Sequence, residues 1–373
     1  MYQMKTIDFL DKIKFDSPEL DYIGHAERKK IITFLFKRQL DYMKNNVPYY
    51  AIKYKNTNLR DIETYEDCAS LVPTTRKSDM RALPTPYDLL PTDIRKNPEQ
   101  IYLFRGTGGT TGRPTSMFYT HGDWRAMVDG MTRPLKCEVQ NFSSPIISFD
   151  SYNQGHISGP IFDDTIKKLG GLPIARNFGS DDYQAIKQME YHNCNLLIAP
   201  AVSTHKGGSL ESLLESDTKN GTNYINGENI TTIFHSSTQM PTDLRDELKG
   251  LGIKYFYDYY GSTDVLPTAI SCQAKPEELH LNLGHISLFI LGEDGEHVKS
   301  GQRGLVVTGR IGAYDMSGRN TVAQATQLLN YHVGDEVTYV EGTCLCGRTT
   351  PRIKNIKRVL DLKDKQASGC EVW

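Results

Sequence analysis

The stretch "RGTGGTTGRPTS" (105–116) is built only from Gly, Thr, Arg, Pro and Ser, and it directly follows "IYLF" (101–104), apolar enough for a buried strand. A strand that ends this way can turn its backbone N–H groups inward, because glycine has no Cβ to obstruct the turn. Threonine hydroxyls add further donors, so the stretch suits an anion. Three phosphate-loop readings compete. A Walker A loop needs Lys and Ser/Thr after its last Gly, but Arg113 and Pro114 follow Gly112. A dinucleotide fingerprint needs G-x-G-x-x-G; Gly106 and Gly108 fit, yet Thr111 stands where the third Gly belongs. The third reading is a flexible clamp in which Thr107, Gly108, Gly109, Thr110, Thr111 and Gly112 wrap a triphosphate. On these residues alone, a mobile Gly/Thr surface linker remains an open alternative.

Working outward, 373 residues exceed what one hydrophobic core usually serves, so two or three subdomains are expected. A hydrophobic share of 38% and a mean hydropathy of −0.47 fit a globular chain in water. Forty-three basic against 45 acidic residues give a net charge of −2, which offers no field for nucleic acid or an anionic membrane. Seven widely spread cysteines read as reduced thiols of a cytoplasmic protein rather than a disulfide framework. The opening "MYQMKTIDFLDKIKFDSPEL" has no apolar run of secretory type, and no window approaches ~18 apolar residues.

Residues 26–45 place charges and apolar residues at helical spacing, which predicts an amphipathic helix. "YEDCASLVPTTRKSDMRAL" (65–83) predicts two short helices around a Pro-Thr-Thr break. From 101 onward, apolar strands at 145–149, 195–200, 230–236 and 253–261 alternate with helical stretches such as 181–192 and 242–250. That alternation predicts an α/β core with mostly parallel pairing. After about 275, strands joined by "GEDGE" predict hairpins and a smaller β-rich subdomain. The expected organisation is a helical segment at 1–95, an α/β core at 96–273, a β-rich part at 274–361 and a tail at 362–373.

Five motifs in order carry a resemblance. They are "NNVPYY" (45–50) with "VPTTRKSDMR" (72–81), "GTGGTTGRPT", "YYGSTD" (259–264), "NYHVGDE" (330–336) and "CLCGRTTPRI" (344–353). Together they resemble the adenylate-forming superfamily, in particular its phenylacetate–CoA ligase branch. The resemblance implies the large N-terminal α/β domain of that superfamily and the joining of a carboxylate to the α-phosphate of ATP with loss of pyrophosphate. It implies that the Gly/Thr loop holds the β- and γ-phosphates. Tyr259, Tyr260 and Gly261 fall at the adenine, with Thr263 near the α-phosphate. Asp264 falls on Mg²⁺, where the family more often has the longer Glu. By position, Ser236 and Ser237 fall in the adenine loop, without its usual Gly-Glu pair. Asp335 is implied at the ribose hydroxyls, and Arg352 or Arg358 as a nearby positive charge. Tyr255 and Tyr257 read as core residues instead.

The carboxylate is expected near "ISFDSYNQGHISGP" (147–160), where Tyr152, Gly155 and His156 stand at places that line an aryl pocket in those relatives. An aromatic beside a glycine can stack a flat ring and leave it room; a lone His is often only a structural residue. Cys272, His280, Cys344 and Cys346 supply a Cys₃His set of the kind Zn²⁺ uses, buried free thiols being the plainer alternative.

Relatives usually continue past this point as a mobile domain carrying an adenylation lysine, and that C-terminal mobile domain is expected to be absent here. A chain this short resembles the adenylating proteins of phenazine-antibiotic biosynthesis, which implies a phenazine carboxylate as the aromatic acid. The expected partners are ATP, an aromatic carboxylic acid, and a downstream acceptor or reductase protein. Two function classes stay open: an adenylating enzyme, and a non-catalytic relative that binds nucleotide without turnover.

Overall fold

The computed structural model describes residues 14–106, 115–152, 154–202, 207–237 and 239–359. The chain packs as two units. One holds the residues up to Gly130, Ser262–Thr268 and those from His280 on; the other holds Met131–Gly261 and Ala269–Leu279.

The first unit opens with helix α1 (His25–Asn46), which buries Ile31, Ile32, Leu35, Phe36, Leu40 and Met43. That spacing is one face of a 3.6-residue helix. A proline at the first turn starts α2 (Pro48–Lys53), where its missing N–H costs nothing. The two helices expected after 65 are α3 (Tyr65–Ser70), started by a Thr64–Asp67 capping box, and α4 (Lys77–Arg81). The Pro-Thr-Thr break between them has a structural job. Thr75 N–H donates to the Asn330 carbonyl at 2.9 Å and the Thr75 carbonyl accepts from His332 N–H at 2.8 Å. After α5 (Thr92–Lys96), strands β1 (Ile101–Gly106) and β2 (Ser116–Thr120) pair antiparallel, with Gly106 opposite Ser116. The Gly/Thr stretch is therefore the connection of a hairpin. β1 differs from the buried strand expected: Tyr102 and Phe104 are 52% and 50% exposed, because the ribbon has only two strands and covers one face. Helix α6 (His121–Lys136) follows.

The second unit alternates as expected. Its elements are β3 (Ile147–Asp150), α7 (Ser158–Lys168), β4 (Leu172–Ala175), α8 (Asp182–His192), β5 (Leu196–Pro200), α9 (Leu210–Lys219), β6 (Thr232–Ser236), α10 (Thr242–Gly250) and β7 (Tyr255–Ser262). The strands lie in the order β4-β3-β5-β6-β7, every pair parallel. Ile186, Met189, Leu197, Leu213, Ile233, Leu248 and Phe256 pack into one apolar cluster. Gly227 is forced by close approach: a Cβ there would lie 2.0 Å from the Gly252 carbonyl oxygen.

Strands β8 (Val265–Cys272) and β9 (Lys275–Leu281) lead back to the first unit. There β10 (Ile286–Leu291), β11 (Arg303–Arg310), the short pair β12 (Ala313–Tyr314) and β13 (Asn320–Thr321), β14 (Tyr331–Val340) and β15 (Arg352–Arg358) follow. β10, β11, β14 and β15 pair antiparallel in that order. The "GEDGE" turn joins β10 to β11, with Gly295 at φ +81°. Parallel α/β plus a smaller antiparallel part is the architecture expected from the sequence.

Candidate functional site

In the first unit the Gly/Thr loop residues Thr107, Gly108, Gly109, Thr110, Thr111 and Gly112 lie outside the described residues. Their anchors do not. Tyr119, on the strand that leaves the loop, donates its hydroxyl to the Thr263 carbonyl at 2.7 Å. Thr115 and Ser116, at the loop's exit, line a small crevice with Met80, Arg81, Leu83, Pro86 and Leu89.

Asp264 is buried at the start of β8. Its Oδ2 accepts from the Tyr331 hydroxyl at 3.2 Å, and its Oδ1 has no hydrogen-bond partner among the described residues. Burial pushes this carboxyl above its usual range; Lys77, the Tyr331 hydroxyl, Arg358 and Arg81 pull the other way. Lys77 and Arg81 are four residues apart on α4, hence on one helix face. Both act on Asp264 through their positive charge, and the sequence reading assigned them no role. The signal was there: two cations at helical spacing inside the quoted "VPTTRKSDMR" motif.

Asp335 lies on β14 opposite Arg358 on β15, and its Oδ1 accepts from Arg358 Nη1 at 3.0 Å. Gly334, at φ +85°, lies within β14 where its register against β11 shifts, and it directly precedes Asp335. Of the two arginines left open by the sequence, Arg358 is the one at Asp335. Arg352 sits at the other end of β15, six residues and roughly 20 Å of strand away, where it is buried and donates to the Gly342 carbonyl at 2.9 Å.

In the second unit, Tyr152 and Ser236 meet: hydroxyl and Oγ are 2.8 Å apart, with Ser237 Oγ at 3.5 Å from the same hydroxyl. Phe162 on α7 lies 5.7 Å from the rings of Tyr152 and Tyr259 and 5.5 Å from Phe234. All four rings are buried, and Tyr152 lies just past the carboxyl end of β3, the side on which open α/β sheets bind ligands. Tyr260 is half-buried, while Gly155, Ser237 and Gly261 are exposed. His156 precedes α7, and its Nδ1 accepts from Ser158 N–H at 3.2 Å. Accepting at Nδ1 puts the proton of the neutral ring on Nε2. Tyr257 is fully buried and belongs to the core as expected; Tyr255 is half-buried.

Three of the four candidate zinc ligands come together in the first unit, where the donor atoms of His280, Cys344 and Cys346 lie within 4.8 Å of one another; Cys272 belongs to the second unit. His280 Nδ1 is 2.8 Å from Thr350 Oγ1, and Nε2 faces Cys346 Sγ at 3.4 Å. Arg348 Nε donates to that sulfur at 3.3 Å. Zn–S bonds near 2.3 Å put tetrahedral donors roughly 3.7 Å apart, so the set fits with small movements. A zinc-bound His donates its other ring N–H to an acceptor, and the Thr350 hydroxyl oxygen can take that place for His280 Nδ1.

No family model matches the chain. Phenylacetate-coenzyme A ligase of Thermus thermophilus is 22% identical over 346 residues, which is 90% of this chain and 71% of that protein. Among solved structures, 2-hydroxyisobutyryl-CoA ligase in an open conformation with 2-HIB-AMP and CoA matches with a TM-score of 0.77 at 17% identity, over 92% of this chain and 78% of that one. The same ligase in the postadenylation state with R3-HIB-AMP gives 0.76 at 16% identity, over 92% and 70%. The fold is that of the adenylate-forming ligases. Among the described residues no helix is long and apolar enough to cross a membrane.

Proposed function

We propose that this adenylate-forming ligase-type protein activates an aromatic carboxylic acid with ATP. A carboxylate oxygen attacks the α-phosphorus, the bond to the β-phosphate oxygen breaks, and pyrophosphate leaves as the acyl-adenylate forms. The observation that carries this reading is Asp264: a buried carboxylate with one oxygen unpartnered among the described residues, next to Thr263 and under the positive charge of Lys77, Arg358 and Arg81. A hard carboxylate oxygen lacking a partner fits Mg²⁺. Such an ion, when bound, offsets the charge of the phosphates. The chain's own residues do the rest. The Gly/Thr loop grips the β- and γ-phosphates, Thr263 meets the α-phosphate, and Asp335, steadied by Arg358, receives the ribose hydroxyls. Ser236, Ser237, Tyr259, Tyr260 and Gly261 hold the adenine. Preorganised donors of this kind stabilise charge developing in the transition state.

The ring of the acid packs at Tyr152, Phe162 and Gly155, and the Nε2–H of His156 faces its carboxylate. A phenazine carboxylate, large and flat, suits that aromatic lining. The activated acyl group passes to an acceptor or reductase protein in the cytoplasm. Cys272, His280, Cys344 and Cys346 hold one structural Zn²⁺. The direct test incubates the protein with ATP, Mg²⁺ and single aryl acids and looks for acyl-adenylate by mass. Nucleotide binding without adenylate from any acid would favour the second class, a relative without turnover.

A further inference from the structure

The second unit holds a buried ionic cluster that the adenylation reading does not use. His235 on β6 and Asp258 on β7 are register partners, each the residue just before one assigned to the adenine, Ser236 and Tyr259. Arg245 reaches in from α10. His235 Nε2 lies 3.4 Å from Arg245 Nη2, and His235 Nδ1 lies 3.5 Å from Asp258 Oδ1. The His235 side chain is fully buried and Asp258 is 22% exposed. A guanidinium can only donate, so His235 Nε2 must accept and the imidazole proton sits on Nδ1, which is 3.5 Å from Asp258 Oδ1 and makes no hydrogen bond among the described residues. The order is cation, neutral ring, carboxylate. The adjoining segment needs a brace: Ser237 sits at φ +73°, a left-handed conformation unusual for a residue with a side chain.

We infer that His235, Asp258 and Arg245 are positioning residues that lock the ends of β6 and β7 and thereby set the affinity for the nucleotide base. This rests on the assignment of Ser236, Ser237, Tyr259 and Tyr260 to adenine. The contact works only with Asp258 ionised. Once protonated, Asp258 no longer presents a charge to Arg245 and the imidazole beside it, and the tie between the strand ends slackens. Burial moves Asp258 up to about 7, against the pull of Arg245, and holds His235 neutral down to about 3. The other groups facing the cluster are Asp246, which acts on Arg245 from the same helix, and the Ser271 hydroxyl on β8, which accepts from Asp258 N–H at 2.8 Å.

The test is calorimetric binding of ATP and of adenosine, which has no phosphate to titrate, to the full chain from about pH 5.5 to about pH 8.5. Wild type is expected to lose about five- to ten-fold in affinity for both ligands below about pH 7. Asp258→Asn is expected to bind weakly at every pH with a flat profile. Arg245→Gln, at a half-buried helix position, reads the same tie without touching the strands, and Arg245→Lys should restore part of the affinity. Variants that keep the wild-type affinity and pH profile overturn the inference. A wild type that binds neither ligand overturns the adenine assignment itself, and with it this inference, so the two failures look different.

Discussion

The Tyr119 hydroxyl donates a 2.7 Å hydrogen bond to the Thr263 carbonyl. Tyr119 is the penultimate residue of the strand that leaves the Gly/Thr loop, and Thr263 immediately precedes Asp264. One bond thus ties the β1–β2 hairpin to the segment that carries the buried carboxylate. The Arg310 guanidinium, 4.9 Å over the Tyr119 ring, holds the ring from its face.

Tyr119→Phe removes that tie and little else. A buried hydrogen bond contributes about 1 kcal/mol net, so thermal stability should fall slightly. Turnover of acid-dependent pyrophosphate exchange should fall about five-fold with little change in KM for the acid. Unchanged turnover would show that Thr263 is placed by something else.

Asp335→Ala should weaken ATP binding about ten-fold or more, because a charged acceptor of ribose hydroxyls is lost. Calorimetry reads this directly. Arg358→Ala should weaken it less, as Asp335 stays but is no longer held. Unchanged affinity in Asp335→Ala removes the ribose assignment.

Metal analysis of protein prepared without chelator should find about one Zn²⁺ per chain. Cys344→Ser should lower both zinc content and melting temperature, since a metal bound only by the folded state stabilises it. Metal-free wild-type protein with an unchanged melting temperature would leave the four residues as packed thiols and an imidazole.

Stability against pH carries the mark of the buried cluster. His235 has its folded value depressed to about 3, so its share of stability is full above about pH 6.5 and is lost as pH falls. Asp258 has its folded value raised to about 7; the folded state then holds the extra proton, and stability falls as pH rises from about 4 to about 7. The two slopes oppose each other. Asp258→Asn removes one of them, so its stability should climb more steeply with pH between about 4 and 6.5 than that of wild type. Denaturant midpoints across that range decide it, and equal slopes would mean Asp258 ionises normally.

Much of this was legible before the structure. Helices at 26–45, 181–192 and 242–250, and the strands at 145–149, 195–200, 230–236 and 253–261, follow from apolar periodicity, and they match α1, α8, α10, β3, β5, β6 and β7 within a residue or two, whereas β4 was not foreseen. Residue type and the Cys-x-Cys spacing were enough to put forward Cys272, His280, Cys344 and Cys346 as a Cys₃His set, but that His280, Cys344 and Cys346 lie together is seen only in the structure. Other features were not, because they depend on contacts far apart in the chain. Nothing in "IYLF" says that its strand has a single partner, which is why Tyr102 and Phe104 are exposed. Arg352 and Arg358 are equivalent on paper, and only the register of β14 with β15 sets Arg358 against Asp335. Lys77, Arg81 and Tyr331 gain meaning only once Asp264 is seen buried beside them.

The central claim is that the Gly/Thr hairpin and Asp264 activate an acid at the α-phosphorus of ATP. Acid-dependent exchange of labelled pyrophosphate into ATP, run over a panel of aryl acids, tests it most directly. Exchange is expected with at least one flat aromatic acid, to be absent without acid, and to be lost in Asp264→Ala. No exchange with any acid, from protein that binds ATP, would contradict it.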